Sequence, residues 1–139
     1  MSHTNPHRIV SDKASVAEAS ITCGRCGSSI KVICIYCVQG LINGAVFTDF
    51  SVSDVSSVDD ALERQLKMWP DFRSELNQEF GKSYFSNYCP SCGERQDEEI
   101  LHCEPGGVFF RIKGSDPQAV SLTPLTGTVR LNGTQVIQL

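Results

Sequence analysis

Six of the seven cysteines in this chain fall into three C-x-x-C pairs: Cys23/Cys26, Cys34/Cys37 and Cys89/Cys92. Thiolates at this spacing are soft anionic donors that bind a metal, exchange as a disulfide or attack as nucleophiles. The residues around each pair decide among these chemistries. In a metal knuckle the backbone folds back after the second cysteine and aims N–H groups at the sulfurs, and a glycine there supplies the positive φ that the turn needs. Gly27 follows Cys26 and Gly93 follows Cys92, and Pro90 pre-sets the second turn. Two such turns facing each other make a closed tetrahedral site of four thiolates, the donor set of structural zinc. The expected ligands are therefore Cys23, Cys26, Cys89 and Cys92, holding one structural Zn2+.

Cys34 and Cys37 lack these features. They sit in Val32-Ile33-Cys34-Ile35-Tyr36-Cys37-Val38, with no glycine or proline. In a strand, residues three apart point to opposite faces, so the two sulfurs do not meet on one ion. They read as small buried apolar side chains. A rival site of Cys23, Cys26, Cys34 and Cys37 leaves only seven residues between the pairs, which is tight for two knuckles. A thioredoxin-like redox pair at Cys23-Gly24-Arg25-Cys26 would need a helix N-terminus, and a strand follows instead. His102-Cys103-Glu104 with Cys89-Pro90-Ser91-Cys92 carries the parts of a zinc deaminase in the wrong order. His102, ten residues after Cys92, is the candidate to orient a ligand, against the alternative of an ordinary histidine. Cys103 reads as a small buried residue.

The elements that must position these thiols follow from the pattern. Met1–Ser20 is polar and Ser/Ala-rich and reads as a flexible arm. Ile30–Val38 and Ala45–Val55 read as strands, with turns at Gly40 and Asn43-Gly44. Ser56 or Ser57 caps a helix carrying Leu62, Leu66 and Trp69, which Pro70 stops. A second short helix is expected around Asp71–Phe80, ended by Gly81. Strands follow at Ser83–Tyr88, Glu99–Cys103 and Val108–Lys113, the last two joined by a turn at Glu104–Gly107. Asn132-Gly133 between alternating runs predicts a type I′ hairpin in the tail. The expected fold is α+β, mostly antiparallel β with one or two short helices, on a zinc-ribbon-like core. Its predicted divisions are an arm over 1–20 and one domain over 21–139. That domain carries an insertion over 38–83 and a C-terminal hairpin over 126–139. The 62 residues between Cys26 and Cys89 do not forbid the site, because loop-closure entropy grows only logarithmically with length. Metal removal should unfold the chain or nearly so, since structural zinc contributes on the order of 10–16 kcal/mol in small peptides.

Composition narrows the partners. The net charge is −4, yet Asp49–Glu104 holds 13 acids and 5 bases while the flanks hold 3 acids and 7 bases. No stretch is densely basic, which disfavours non-specific nucleic-acid binding. No apolar run approaches the roughly 20 residues of a membrane span, and the N-terminus lacks the apolar centre of a secretory signal. A cytoplasmic setting is expected, where thiols stay reduced and cysteines serve metals.

Tyr84–Gly93, with its aromatic-Asn-x-C-P-x-C-G knuckle, and Leu101–Phe110, with H-x-E-P-G-G-x-F-F, resemble a loose group of uncharacterised bacterial zinc-ribbon proteins. The resemblance runs from about Cys23 to Phe110. It implies the same four ligands and no role for cysteines at 34 and 37, and it brings no activity. The functional expectation is a non-enzymatic zinc module acting through protein contact, with Glu94–Glu99 and Glu104–Gly107 near the metal as the contact surface. The alternative is a nucleic-acid-binding ribbon using Arg25, Lys31, Arg95, Arg111 and Lys113. A zinc enzyme is third, because it needs an open metal position.

Overall fold

A computed structural model describes residues 6–77, 82–97, 101, 109 and 120–138. Among these residues seven named strands and one named helix follow in chain order: β1 (His7–Thr22), β2 (Ser29–Ile42), β3 (Ala45–Val58), α1 (Asp60–Leu66), β4 (Phe72–Asn77), β5 (Lys82–Asn87), β6 (Val120–Pro124) and β7 (Val129–Gln138). All strand pairings are antiparallel, in the order β2-β1-β7-β3-β5-β4, with β6 beside β1. β2 also pairs with β3, so β1, β2, β3 and β7 close into a ring. Closure needs long strands that change partner along their length. β3 pairs with β2 through Ala45–Val52 and with β7 through Phe50–Val58. Asp49 and Asp54 within it take positive φ, and its register shifts between Val55 and Ser57. Such irregularities bend a strand and sharpen its twist.

The inside of the ring is the main core. Ile9, Val16, Ile35, Phe50, Val52 and Val129 fill it, and α1 covers one end with Leu62 and Leu66. A second core lies on the other face of β2, built from Ala17, Ala19, Val32, Cys34, Tyr36, Cys23, Cys89, Leu101 and Phe109. β2 is thus buried on both faces, which explains its nearly unbroken apolar run. The middle pair faces opposite ways, as its spacing in a strand requires: Cys37 enters the ring and Cys34 the second core.

The zinc-ribbon expectation is overturned. The core is a closed antiparallel sheet, and the knuckles sit at the ends of its strands. Residues 38–83, expected as an insertion, supply β3, a wall of the ring. The expected arm over 1–20 is largely β1, the strand between β2 and β7. Serine and alanine are poor strand formers in isolation, but pairing on both edges overrides propensity. At a bulge in β1, Ser11 Oγ donates to Gln39 O (2.6 Å) and accepts from Lys13 N–H (3.0 Å). The register shift there lets Ile9 before it and Val16 after it face the same core.

Three local expectations also change. The helix begins one turn later, capped by Asp59, whose carboxylate accepts from Leu62 N–H at 3.0 Å. The expected second helix is instead β4, zipped along β5, with Phe72 against Phe85 (5.7 Å between centroids) and the Arg73 guanidinium 4.2 Å over the Tyr88 ring. The tail hairpin does not form, because β7 runs straight through Asn132-Gly133. Gly133 is required there for close approach: a Cβ would overlap Val52 Cγ1 and lie 3.1 Å from Ser53 O. Gly40 likewise lies inside β2 rather than at a turn. The type I′ turn is Asn43-Gly44, with φ of 51° and 87° between the paired Ile42 and Ala45. The strand predicted over Ser83–Tyr88 corresponds to β5. Of the predicted strands at 99–103 and 108–113, only Leu101 and Phe109 are described, and neither is in a strand: Leu101 is helical, its N–H donating to Asp97 O at 3.1 Å, and Phe109 lies in a turn. The turn at 104–107 lies outside the described residues.

Candidate metal centre

The first C-x-x-C forms the connection from β1 to β2, and the second follows β5. The two turns share one hydrogen-bond pattern. Cys23 N–H donates to Ser28 O (2.9 Å) and Gly27 N–H to Cys23 O (2.9 Å). Cys89 N–H donates to Glu94 O (2.9 Å) and Gly93 N–H to Cys89 O (2.8 Å). Gly27 and Gly93 have φ of 76° and 79°, the left-handed conformation for which glycine was singled out.

The turns face each other. Cys23 Sγ lies 3.7 Å from Cys92 Sγ, and Cys26 Sγ lies 3.6 Å from Cys89 Sγ. All four sulfurs fall within 4.8 Å of one another. A tetrahedral ion with metal–sulfur bonds of about 2.3 Å sets its sulfurs roughly 3.8 Å apart, so the donor set fits one ion. A disulfide would instead bring two sulfurs to about 2.05 Å. Among the described residues no other group of three or more histidine, cysteine or acidic side chains is gathered in this way. Cys34 and Cys37 are buried on opposite faces of β2 and take no part, which removes the rival four-cysteine set.

The surroundings prepare the sulfurs unequally. The N–H groups of Cys26 and Arg25 pull the Cys23 thiol down to about 6. The Ser28 hydroxyl and N–H lower Cys26. At Cys92 the Glu94 N–H acts in the same direction, but burial and the sulfurs of Cys23, Cys89 and Cys26 outweigh it and push that thiol up to about 12. Four sulfurs packed this closely cannot all be anionic without a cation among them. A divalent ion displaces the retained protons. Metal affinity should therefore rise with pH, by up to about tenfold per pH unit for each thiol still protonated. Above about pH 6 the Cys23 sulfur is already anionic, and below it protons compete for Cys23 as well as for Cys92. The expected titration keeps the metal at pH 7 and releases it as pH falls through 6 towards 4, read as metal captured by a chromogenic chelator. Release independent of pH across that range would contradict this.

Neighbours tie the knuckles together. Arg25 Nη1 in the first reaches Glu94 Oε2 after the second at 2.9 Å, an exposed pair worth at most about 1 kcal/mol. Gln96 Nε2 donates to Cys23 Sγ at 3.7 Å and to Glu94 O at 3.0 Å. The buried Asn87, two residues before Cys89, exchanges two hydrogen bonds with the backbone of Ile33 in β2. Sequence reasoning missed these roles of Gln96 and Asn87. Asn87 had a local signal, its place in the aromatic-Asn-x-Cys run, while Gln96 had none. His102, Cys103 and Glu104 lie outside the described residues. Comparison with protein-family models, with curated proteins and with solved structures finds no match for this chain.

Proposed function

We propose that this protein is a non-enzymatic metal module in which Cys23, Cys26, Cys89 and Cys92 hold one structural Zn2+ and which acts by contact with another protein. The observation that carries it is the four-sulfur cluster made by two like turns from distant parts of the chain. Zinc suits four thiolates in a tetrahedron, and a site saturated by protein ligands leaves no position for an activated water. The acidic residues Glu94 and Asp97, which follow the second knuckle, offer a surface for a basic partner. The bases of the nucleic-acid alternative favour it less: Arg25 is paired with Glu94, Lys31 lies 3.9 Å from Glu18, and Arg95 Nε donates to Ser86. A cytoplasmic setting belongs to this reading. No helix among the described residues is long and apolar enough to cross a membrane.

The test is metal analysis of protein purified without added metal, followed by cobalt substitution. About one zinc per chain and the intense visible bands of a four-thiolate cobalt site are expected, and Cys89→Ser should weaken both. Protein that retains no metal, or a cobalt spectrum showing bound water, would sink the structural-zinc reading.

A further inference from the structure

A second candidate site lies on the outer face of the ring. Ile9 and Leu131 point into the core, so their neighbours Arg8, Val10, Arg130 and Asn132 point outwards. Strand register places these residues in two rungs. In one, Arg8 on β1 faces Asn132 on β7, which faces Ser57 on β3. In the next, Arg130 on β7 faces Val10 on β1, Val10 faces Leu41 on β2, and Leu41 faces Val46 on β3. Arg8 and Arg130 are thus diagonal neighbours on one face, near enough for both guanidinium groups to reach one anion.

The two arginines border a groove of about 520 Å³ with Ser57, Asp59 and Asn132. Among the described residues, neither has a carboxylate oxygen within 4.0 Å, whereas Arg25, Lys31 and Arg73 each do. Asp59, the acid in the groove, is engaged in capping the helix. Asn132 Nδ2 donates to Ser57 Oγ at 2.7 Å, which leaves the serine hydrogen free to donate. Val10 also lines an adjoining hollow of about 400 Å³ with Lys13, Leu41 and Val46, and the last two are exposed large apolar residues. Asp12 is the acid in that hollow.

We propose that this face binds phosphate groups through Arg8 and Arg130, and that their source is single-stranded nucleic acid. Paired guanidinium groups match phosphate oxygens in geometry and charge. The groove is open and continues past Val10 towards Lys13, which suits a chain of phosphates better than a single enclosed one. The Val10–Leu41–Val46 strip gives bases an apolar surface beside the cations. The acidic remainder of the protein makes binding weak and dependent on low salt. This surface is separate from the knuckles, so the proposal does not rest on the zinc reading.

The experiment titrates full-length protein with inorganic phosphate and, separately, with a short oligothymidylate at about 20 mM ionic strength. It is repeated for Arg8→Gln, Arg130→Gln and, as a control, the exposed Lys67→Gln, which lies at neither site. Oligothymidylate is expected to bind, each groove variant to lose roughly threefold to tenfold in affinity, and each to flatten the logarithmic salt slope by about 0.7. Lys67→Gln should change neither. Phosphate binding that falls in the groove variants, without oligothymidylate binding, would keep the anion site and remove the polymer. Binding indifferent to both groove substitutions, or no binding of either probe, would overturn the proposal. Metal content and circular dichroism of every variant show that loss of binding is not loss of fold.

Discussion

Stripping the metal with a chelator at neutral pH is expected to expose Cys34 to alkylation while Cys37 stays protected. Both thiols lie on β2, three residues apart, and report on opposite faces. Cys37 is fully buried in the ring, where desolvation pushes its thiol up to about 11 and keeps it unreactive. The ring core draws on β1, β2, β3, β4, β7 and α1 and includes none of the four ligands. Cys34 instead shares its core with the ligands Cys23 and Cys89, and Cys92 packs against it. A structural zinc contributes on the order of 10–16 kcal/mol in peptides, comparable to the whole stability of a domain. What the ion holds should therefore open when it leaves. The large side chains filling the ring are worth about 1.5–3 kcal/mol each in burial, and none of the strand pairings that close the ring runs through a ligand. Chelation should thus dismantle one face of β2 rather than unfold the chain, contrary to the expectation from the cysteines alone. Mass spectrometry with fragmentation between the two cysteines reads the result. Equal labelling of Cys34 and Cys37 would mean a single cooperative unit, and protection of both would mean that the metal does not hold the second core.

Asn87→Leu should destabilise the protein by about 2–5 kcal/mol and weaken metal binding with it. At Ile33 one edge of β2 pairs with β1, but the pairing of β3 on the other edge reaches only Ile35. The Asn87 amide fills that gap: Oδ1 accepts from Ile33 N–H at 2.8 Å and Nδ2 donates to Ile33 O at 2.9 Å. Leucine of similar size leaves both backbone groups buried and unpaired, at about 1–3 kcal/mol apiece. Because Asn87 also fixes the approach to Cys89, the same loss loosens the second knuckle. Urea unfolding of the metal-loaded protein, with the slope compared between variants, measures it. A shift below about 1 kcal/mol at unchanged slope would show that the amide is dispensable.

The knuckles were legible before any fold was known, because a C-x-x-C-G turn is settled within five residues: the thiols, the reversal and the glycine φ are all local. The strand character of β2 was legible for a like reason, in β-branched residues on both faces of a doubly buried run. The rest was decided by pairing between distant segments. The same dipeptide makes the point twice. Asn43-Gly44 turns the chain, while Asn132-Gly133 lies flat in β7 because β3 passes too close for a side chain. β1 was hidden by its serines and alanines, and β4 by the lack of a strong strand signal. Each is a strand because a neighbour satisfies its backbone hydrogen bonds, a condition that no window of sequence contains. The sequence by itself determined which four thiols have the chemistry and the turns for a metal. Only the tertiary structure decided that they close beside a ring of strands, since ring closure depends on registers summed over strands far apart in the chain.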